Sequence, residues 1–350
     1  MTVGLTPSNP PAMPSSRSAQ PRPAPVGRKG AARSLASDAD GVDVSVLVPA
    51  NDEAENLPLF MELAAEAFRG SSASYEVIVI DDGSTDDTWS VLERLCAEYP
   101  FLRVVRHRVR RGIADALRTG YLSARGSVLV FYPADLQFRP EDIPTLVEPV
   151  ISGEYDMATG LKLGRYDRAF VSRVYNWLSR ALFDVPVRDL NSVKAYRREI
   201  MEVQPVRPDW HRYMIVIAAA EGFSVTEIPI PLHPRHAGRS KFGIGRIPIG
   251  VLDMLSVWFE LQFGRKPLLL FGLMGAALFA IGIITGLVAI GIRVFAGVGF
   301  RPLLNLIETS VVVGSVFLVG GLLGEMIAGQ RAELREVRRQ LDEMQVPIER

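Results

Sequence analysis

The sequence predicts a doubly wound α/β domain with a mostly parallel sheet, followed by a two-helix membrane hairpin. Two patterns lead there. From Val42 to about Tyr132, short runs rich in Val and Ile alternate with segments of helical periodicity, and polar motifs follow closely on the apolar runs. After Lys266, two long stretches nearly free of charge hold an apolar surplus, in a chain of 350 residues and 48% hydrophobic content, that a single soluble core would not hide.

Residues 1–41 are rich in Pro, Ser, Ala and Arg and poor in large apolar side chains, so they bury too little surface to offset the entropy of ordering. A disordered tail is expected. It holds no apolar segment suited to a signal peptide, so the next segment, 42–245, is expected to be a folded domain that stays in the cytoplasm. Within it, Val44–Val48, Glu76–Ile80, Leu102–Arg106 and Ser127–Tyr132 read as strands. Glu55–Phe68, Asp86–Tyr99 and Ile113–Ala124 read as helices, with Asp86 and Asp87 as caps of the second.

Further on, Ala169–Phe183 and Ile247–Phe263 mix apolar and aromatic residues with few charges. Because the second leads directly into a membrane run, 246–265 is expected to lie along the bilayer surface. Leu268–Ile292 carries no charge over about 25 positions, enough to cross a hydrocarbon layer of roughly 30 Å. Pro302–Ile327 is the return run, with Glu308 and Glu325 near its ends. The hairpin therefore occupies 266–328, and 329–350 is a charged helix whose Arg331, Arg335, Arg338 and Arg339 favour a cytoplasmic end. Gly272, Gly275 and Ala276 permit close helix packing and leave room for a homo-oligomer.

Formal net charge is zero, so no basic field points to nucleic acid. The single cysteine, Cys96, excludes an internal disulfide framework and a Cys-cluster zinc site.

Three motifs follow strands, where a parallel sheet binds its ligands. In VLVPANDEAENL, Pro49 ends a strand and Glu53 opens a helix; in VIVIDDGSTDDT, Asp81 and Asp82 enter a tight turn at Gly83. These carboxylates suit a base N–H or ribose hydroxyls. In FYPADLQFRPEDI, Asp135 ends an apolar strand and suits a hard cation, Mg2+ or Mn2+.

In this order the motifs resemble glycosyltransferase family 2, with the GT-A fold, and within it the polyprenyl-phosphate glycosyltransferases. The resemblance runs from Val44 to about Ile327. Asp81–Ser84 matches the nucleotide-binding Asp-Asp-Gly-Ser, and Arg111, Gly112, Ala116, Leu117 and Gly120 match the following helix. Asn51 and Asp52 replace the usual Tyr-Asn before Glu53. The metal motif Asp-x-Asp-x-Gln appears with Pro133 in place of its first Asp, while Asp135 and Gln137 are kept. VRDLNSVKAYRRE, with Asp189, HRYM at His211–Met214 and Glu227 continue the pattern; PRHAGRSKFG matches a basic lid through Arg235, Gly238, Ser240 and Lys241.

The resemblance implies an inverting hexosyl transfer from a UDP- or GDP-linked sugar to a polyprenyl phosphate at the cytoplasmic face of the inner membrane. It implies Asp135, Arg168, Asp189 and Arg235 as catalytic groups. Pro49, Glu53, Asp81, Asp82, Gln137 and Lys241 would bind the nucleotide-sugar, and Asp135 with Gln137 the metal. Lys162, Arg168, Ser172, Arg235 and Ser240 would hold the acceptor phosphate, with Asn176 on the same helical face as Arg168 and Ser172. The alternatives are a catalytically weak membrane scaffold, suggested by Pro133, or a transferase with another lipid acceptor.

Overall fold

In a computed structural model, the structure describes residues 41–163, 182–183, 187, 189–203, 210–237, 247–264, 266–297, 299 and 301–345. Arg168, Ser172, Asn176, Gly238, Ser240 and Lys241 lie outside these residues, as does most of the helix expected at Ala169–Phe183.

Seven strands form one sheet in the order β3-β2-β1-β4-β6-β5-β7. Strands β1 (Val44–Ala50), β2 (Tyr75–Asp81), β3 (Leu102–Arg106) and β4 (Val128–Phe131) run parallel, as the alternation of patterns requires. Strand β6 (Lys194–Arg197) is reversed against both β4 and β5 (Met157–Leu163), and β5 pairs in parallel with β7 (Val225–Pro231). The last three strands are not foretold by periodicity. Pro229 and Pro231 demote β7 as a strand candidate, and the structure places it at the sheet edge, where a missing N–H is tolerated.

Period-2 alternation divides the strands between two cores. Val46, Val48, Val77, Val79 and Val130 point to one face, covered by α1 (Leu57–Arg69), α2 (Thr88–Glu98) and α4 (Ile143–Ile151). Leu47, Ile78, Ile80, Leu129 and Tyr196 point to the other, covered by α3 (Ile113–Ser123) and α6 (Met214–Ala220), the latter following α5 (Glu199–Val203). Helix α1 buries Leu57, Phe60, Met61, Ala64 and Phe68, the i, i+3, i+4 spacing of one stripe, and begins with Pro in its first turn. Helix α2 starts at Thr88, later than expected, because the Asp86 carboxylate accepts the Thr88 N–H at 3.0 Å. Asp87 holds the N-cap position but its side chain makes no capping bond.

Helix α7 (Ile247–Phe263) has two different sides. Met254 and Val257 are fully buried in the second core, and Gly250 O accepts the Tyr213 hydroxyl at 3.0 Å. Leu252 and Leu255 face outward and are exposed. Helices α8 (Pro267–Ala296) and α9 (Arg301–Gln345) are long and apolar enough to cross a membrane. Glycines let their backbones meet: a Cβ on Gly275 would stand 2.9 Å from Gly314 O, and one on Gly324 would stand 2.9 Å from Pro267 Cβ. Close packing through Gly275 is thus used inside the hairpin, while Ala276 is exposed. Glu325 accepts the Leu268 N–H at 3.3 Å, placing a carboxylate at the positive end of α8. Arg331 then pairs with Glu260 of α7 at 2.6 Å.

Candidate active site

Because β1, β2, β4 and β5 all run in one direction, the segments after them meet at one edge of the sheet. The loops after β1 and β2 are laced together. Asn51 Nδ2 donates to Asp82 O at 3.1 Å, Asp52 N–H to Ser84 Oγ at 2.9 Å, and Glu53 N–H to Thr88 Oγ1 at 2.9 Å. Pro49 and Glu53 therefore stand beside the Asp81–Ser84 turn. At that turn Gly83 adopts φ +68°, and a Cβ there would lie 2.5 Å from Arg110 N, so only glycine fits both the backbone and the contact.

Asp81 and Asp82, both buried, are held differently. Asp81 accepts the Ser84 N–H at 2.9 Å and lies 3.2 Å from Arg106 Nε. The Asp82 carboxylate accepts the Arg111 and Gly112 N–H groups at 2.8 and 2.7 Å and meets His107 Nδ1 at 2.8 Å. Asp82 thus fixes the loop that opens α3, where a negative charge also suits the helix dipole. His107, tied on its other side to Thr119 Oγ1 at 2.9 Å, belongs to this arrangement and was not singled out by any motif.

After β4 the chain turns sharply at Leu136, a buried non-glycine residue at φ +56°. That conformation is costly for a branched apolar side chain and is retained where the surroundings enforce it. It brings Asp135 and Gln137 to one side. Arg235, which follows β7, places Nη2 2.9 Å from Asp135 Oδ2 and 3.2 Å from Gln137 Oε1. The backbone seals the arrangement, with His233 N–H donating to Gln137 O at 2.9 Å. Burial raises the Asp135 carboxyl above the usual aspartate range, and the pull of Arg235, the Gln137 N–H and Lys162 only partly offsets it.

Lys162, at the end of β5, pairs with Asp189 at 2.9 Å and donates to Asn191 O at 2.7 Å. Its charge is felt at Asp135, so the two groups share one edge of the site. The structure therefore brings together Asp135, Gln137 and Arg235 directly, and Lys162 with Asp189 beside them. Beneath this second pair lie Lys194 and His211, both buried. Lys194 lies in the sequence between Val193 and Ala195, and His211 within HRYM; neither was assigned a role from its motif.

Among the described residues no three His, Cys, Asp or Glu side chains gather as a metal cluster. The Asp135 and Gln137 oxygens nevertheless converge on a single cationic partner, the Arg235 guanidinium. A hard cation prefers this oxygen donor set and completes its shell from phosphate and water.

The family model described as Glycosyl transferase family 2 matches residues 45–203. The chain is 29% identical over 299 residues to the dodecaprenyl-phosphate galacturonate synthase of Rhizobium johnstonii, covering 82% of this chain and 88% of that protein. It is 29% identical over 303 residues to the undecaprenyl-phosphate 4-deoxy-4-formamido-L-arabinose transferase of Pseudomonas fluorescens, covering 83% and 86%. Among solved structures, glucosyl-3-phosphoglycerate synthase from Mycobacterium tuberculosis, in complex with Mn2+, UDP and phosphoglyceric acid, superposes with a TM-score of 0.51 at 20% identity. That likeness covers 63% of this chain and 79% of the other, and establishes the shared fold. With three strand-end motifs at one sheet edge, residues 45–203 form a domain of glycosyl transferase family 2.

Proposed function

We propose that this enzyme transfers a sugar, with inversion, from a UDP- or GDP-linked donor to a polyprenyl phosphate at the cytoplasmic membrane face. The observation that carries the reading is the contact between Asp135 and Arg235 at the sheet edge of a domain joined to an apolar hairpin. Relatives named for dodecaprenyl and undecaprenyl phosphate, aligned over more than four-fifths of this chain, support the acceptor class.

The reaction sets an electrostatic problem. Donor and acceptor are both anionic, and the phosphate oxygen must approach the anomeric carbon as the nucleoside diphosphate departs. Asp81 and Glu53 would receive the nucleoside beside the Gly83 turn. Asp135 and Gln137 would hold Mg2+ or Mn2+, which when bound neutralises pyrophosphate charge. Arg235, released from Asp135, would donate charge-assisted hydrogen bonds to the same anion or to the acceptor. Lys162, steadied by Asp189, would face the acceptor phosphate, which is already ionised and needs no strong base. Arg168, Ser172, Ser240 and Lys241 enter this assignment from their motifs alone.

The test is incubation of membranes containing the full chain with labelled UDP- and GDP-sugars and polyprenyl phosphate, followed by lipid extraction. Label in the lipid fraction that mild acid releases is expected. Absence of any labelled lipid with every donor, in protein shown to be folded and inserted, would refute the assignment.

A further inference from the structure

Lys194 occupies the first position of β6, directly across from Phe131 of β4 and Thr159 of β5, and is 1% exposed. Its ammonium donates to Ser192 O at 2.7 Å and lies 5.7 Å from the centre of the Phe131 ring. A lysine buried so completely is costly, and an apolar residue of similar volume would often be as stable or more so. Packing therefore does not account for it.

The segment it grips explains it better. Asp189 accepts the Asn191 N–H at 2.9 Å, closing a tight turn. Lys162 donates to Asn191 O at 2.7 Å while pairing with Asp189. Lys194 donates to the next carbonyl, Ser192 O. Two ammonium groups from neighbouring strands thus hold consecutive peptide groups of one loop, Lys162 at the edge of the site and Lys194 beneath it.

We propose that Lys194 is a positioning residue for the transfer: it anchors the Asp189–Ser192 loop from below, so that Asp189 and Lys162 stay aimed at the edge occupied by Asp135. This rests on the reading of Lys162 and Asp189 as acceptor-side groups.

The surroundings give the anchor a pH dependence. Burial lowers the Lys194 ammonium to about 7; Asp189 on the loop pulls it up, while Lys162 on β5 and Arg212 on the turn before α6 push it further down. His211, buried beside it, is depressed to about 3 by burial and by the charges of Lys194 and Arg212, and is neutral near pH 7. Phe131 and Thr159 bring no charge. Above pH 7 the ammonium is lost and its hold on the loop weakens. The folded value lies below the unfolded one, so the unfolded chain binds the extra proton between them. Stability therefore rises with pH across that window, and the charged form at or below pH 7 is a cost to the fold.

The test uses the full chain in membranes, as wild type, Lys194→Met and Lys194→Arg. Steady-state kinetics, thermal unfolding and amide hydrogen exchange of residues 189–193 are measured from about pH 6 to about pH 9. Lys194→Met is expected to lower kcat at least about 10-fold, with KM for the donor within about 2-fold. Its melting temperature should be unchanged or higher, and exchange across 189–193 faster. Wild-type kcat should fall as pH rises through about 7, and Lys194→Arg should retain activity without that fall. A Met variant with wild-type kcat, or one whose losses track its melting temperature and extend equally to donor binding, would overturn the proposal. If the wild type transfers no sugar, the acceptor reading is lost, and exchange still decides: unchanged protection of 189–193 in Lys194→Met rules out the anchor.

Discussion

Arg235 lies across Asp135, nitrogen to oxygen 2.9 Å, although 100 positions separate them in the chain. The guanidinium shares that side of the turn with Gln137 Oε1. In the proposed reaction, a divalent cation bound at this carboxylate would replace one cationic partner with another.

Replacing Asp135 separates its chemical role from its role in the fold. Asp135→Asn is expected to reduce transfer at least ~100-fold by removing the charged oxygen. Because burial outweighs Arg235 and holds the carboxyl above its ordinary range, ionising it costs stability. Thermal unfolding should therefore show no loss in the variant, and a drop in melting temperature would contradict the assignment.

The same raised carboxyl predicts how metal use follows pH. With Asp135 as the proposed ligand, protons and a divalent cation would compete for it, and the group gains its proton at a higher pH than an exposed aspartate. The Mn2+ concentration giving half-maximal rate should increase as pH is lowered. Titrations at several pH values measure it; a requirement independent of pH on the acid side would exclude Asp135 as the ligand.

Asp189 is tested through its partner. Asp189→Asn leaves the Lys162 ammonium, largely buried at 17% side-chain exposure, without its counter-charge. A stability loss of about 1–3 kcal/mol is expected, together with weaker use of the lipid acceptor. Denaturant unfolding and KM for polyprenyl phosphate check the two effects separately.

In the hairpin, Gly314→Leu should separate the helices. A Cβ at Gly314 would stand 3.2 Å from Gly275 O and 3.3 Å from Leu278 Cβ, and a larger side chain has nowhere to go between them. Detergent-solubilised protein should lose thermal stability, while the sheet domain keeps nucleotide binding. Unchanged unfolding would show that the helices do not pack at this point.

Much of the fold was legible because its first half obeys simple alternation. Val44–Val48, Glu76–Ile80 and Leu102–Arg106 are apolar strands separated by helices, and each lies within the observed β1, β2 and β3. The second half was harder to read. Strand β6 is short, reversed and opens on a lysine, and β7 carries two prolines. Neither fits a propensity argument, because both are held by neighbours distant in sequence. In the site, Asp135 and Arg235 were named from separate motifs, yet only folding shows them touching. Asp82 illustrates the converse: its motif suggests a ligand group, and the structure shows its oxygens engaged by Arg111, Gly112 and His107. Backbone donors from another loop leave no trace in a motif.

Helix α7 shows where the chain can be cut. Met254 and Val257 complete the core beneath the sheet, and Gly250 receives the Tyr213 hydroxyl, so this helix forms one wall of the sheet domain and leads into the apolar hairpin. A fragment ending before Ile247 would expose a greasy floor and aggregate. One ending just after Phe263 would keep its walls and still carry the outward Leu252 and Leu255, and is expected to bind vesicles.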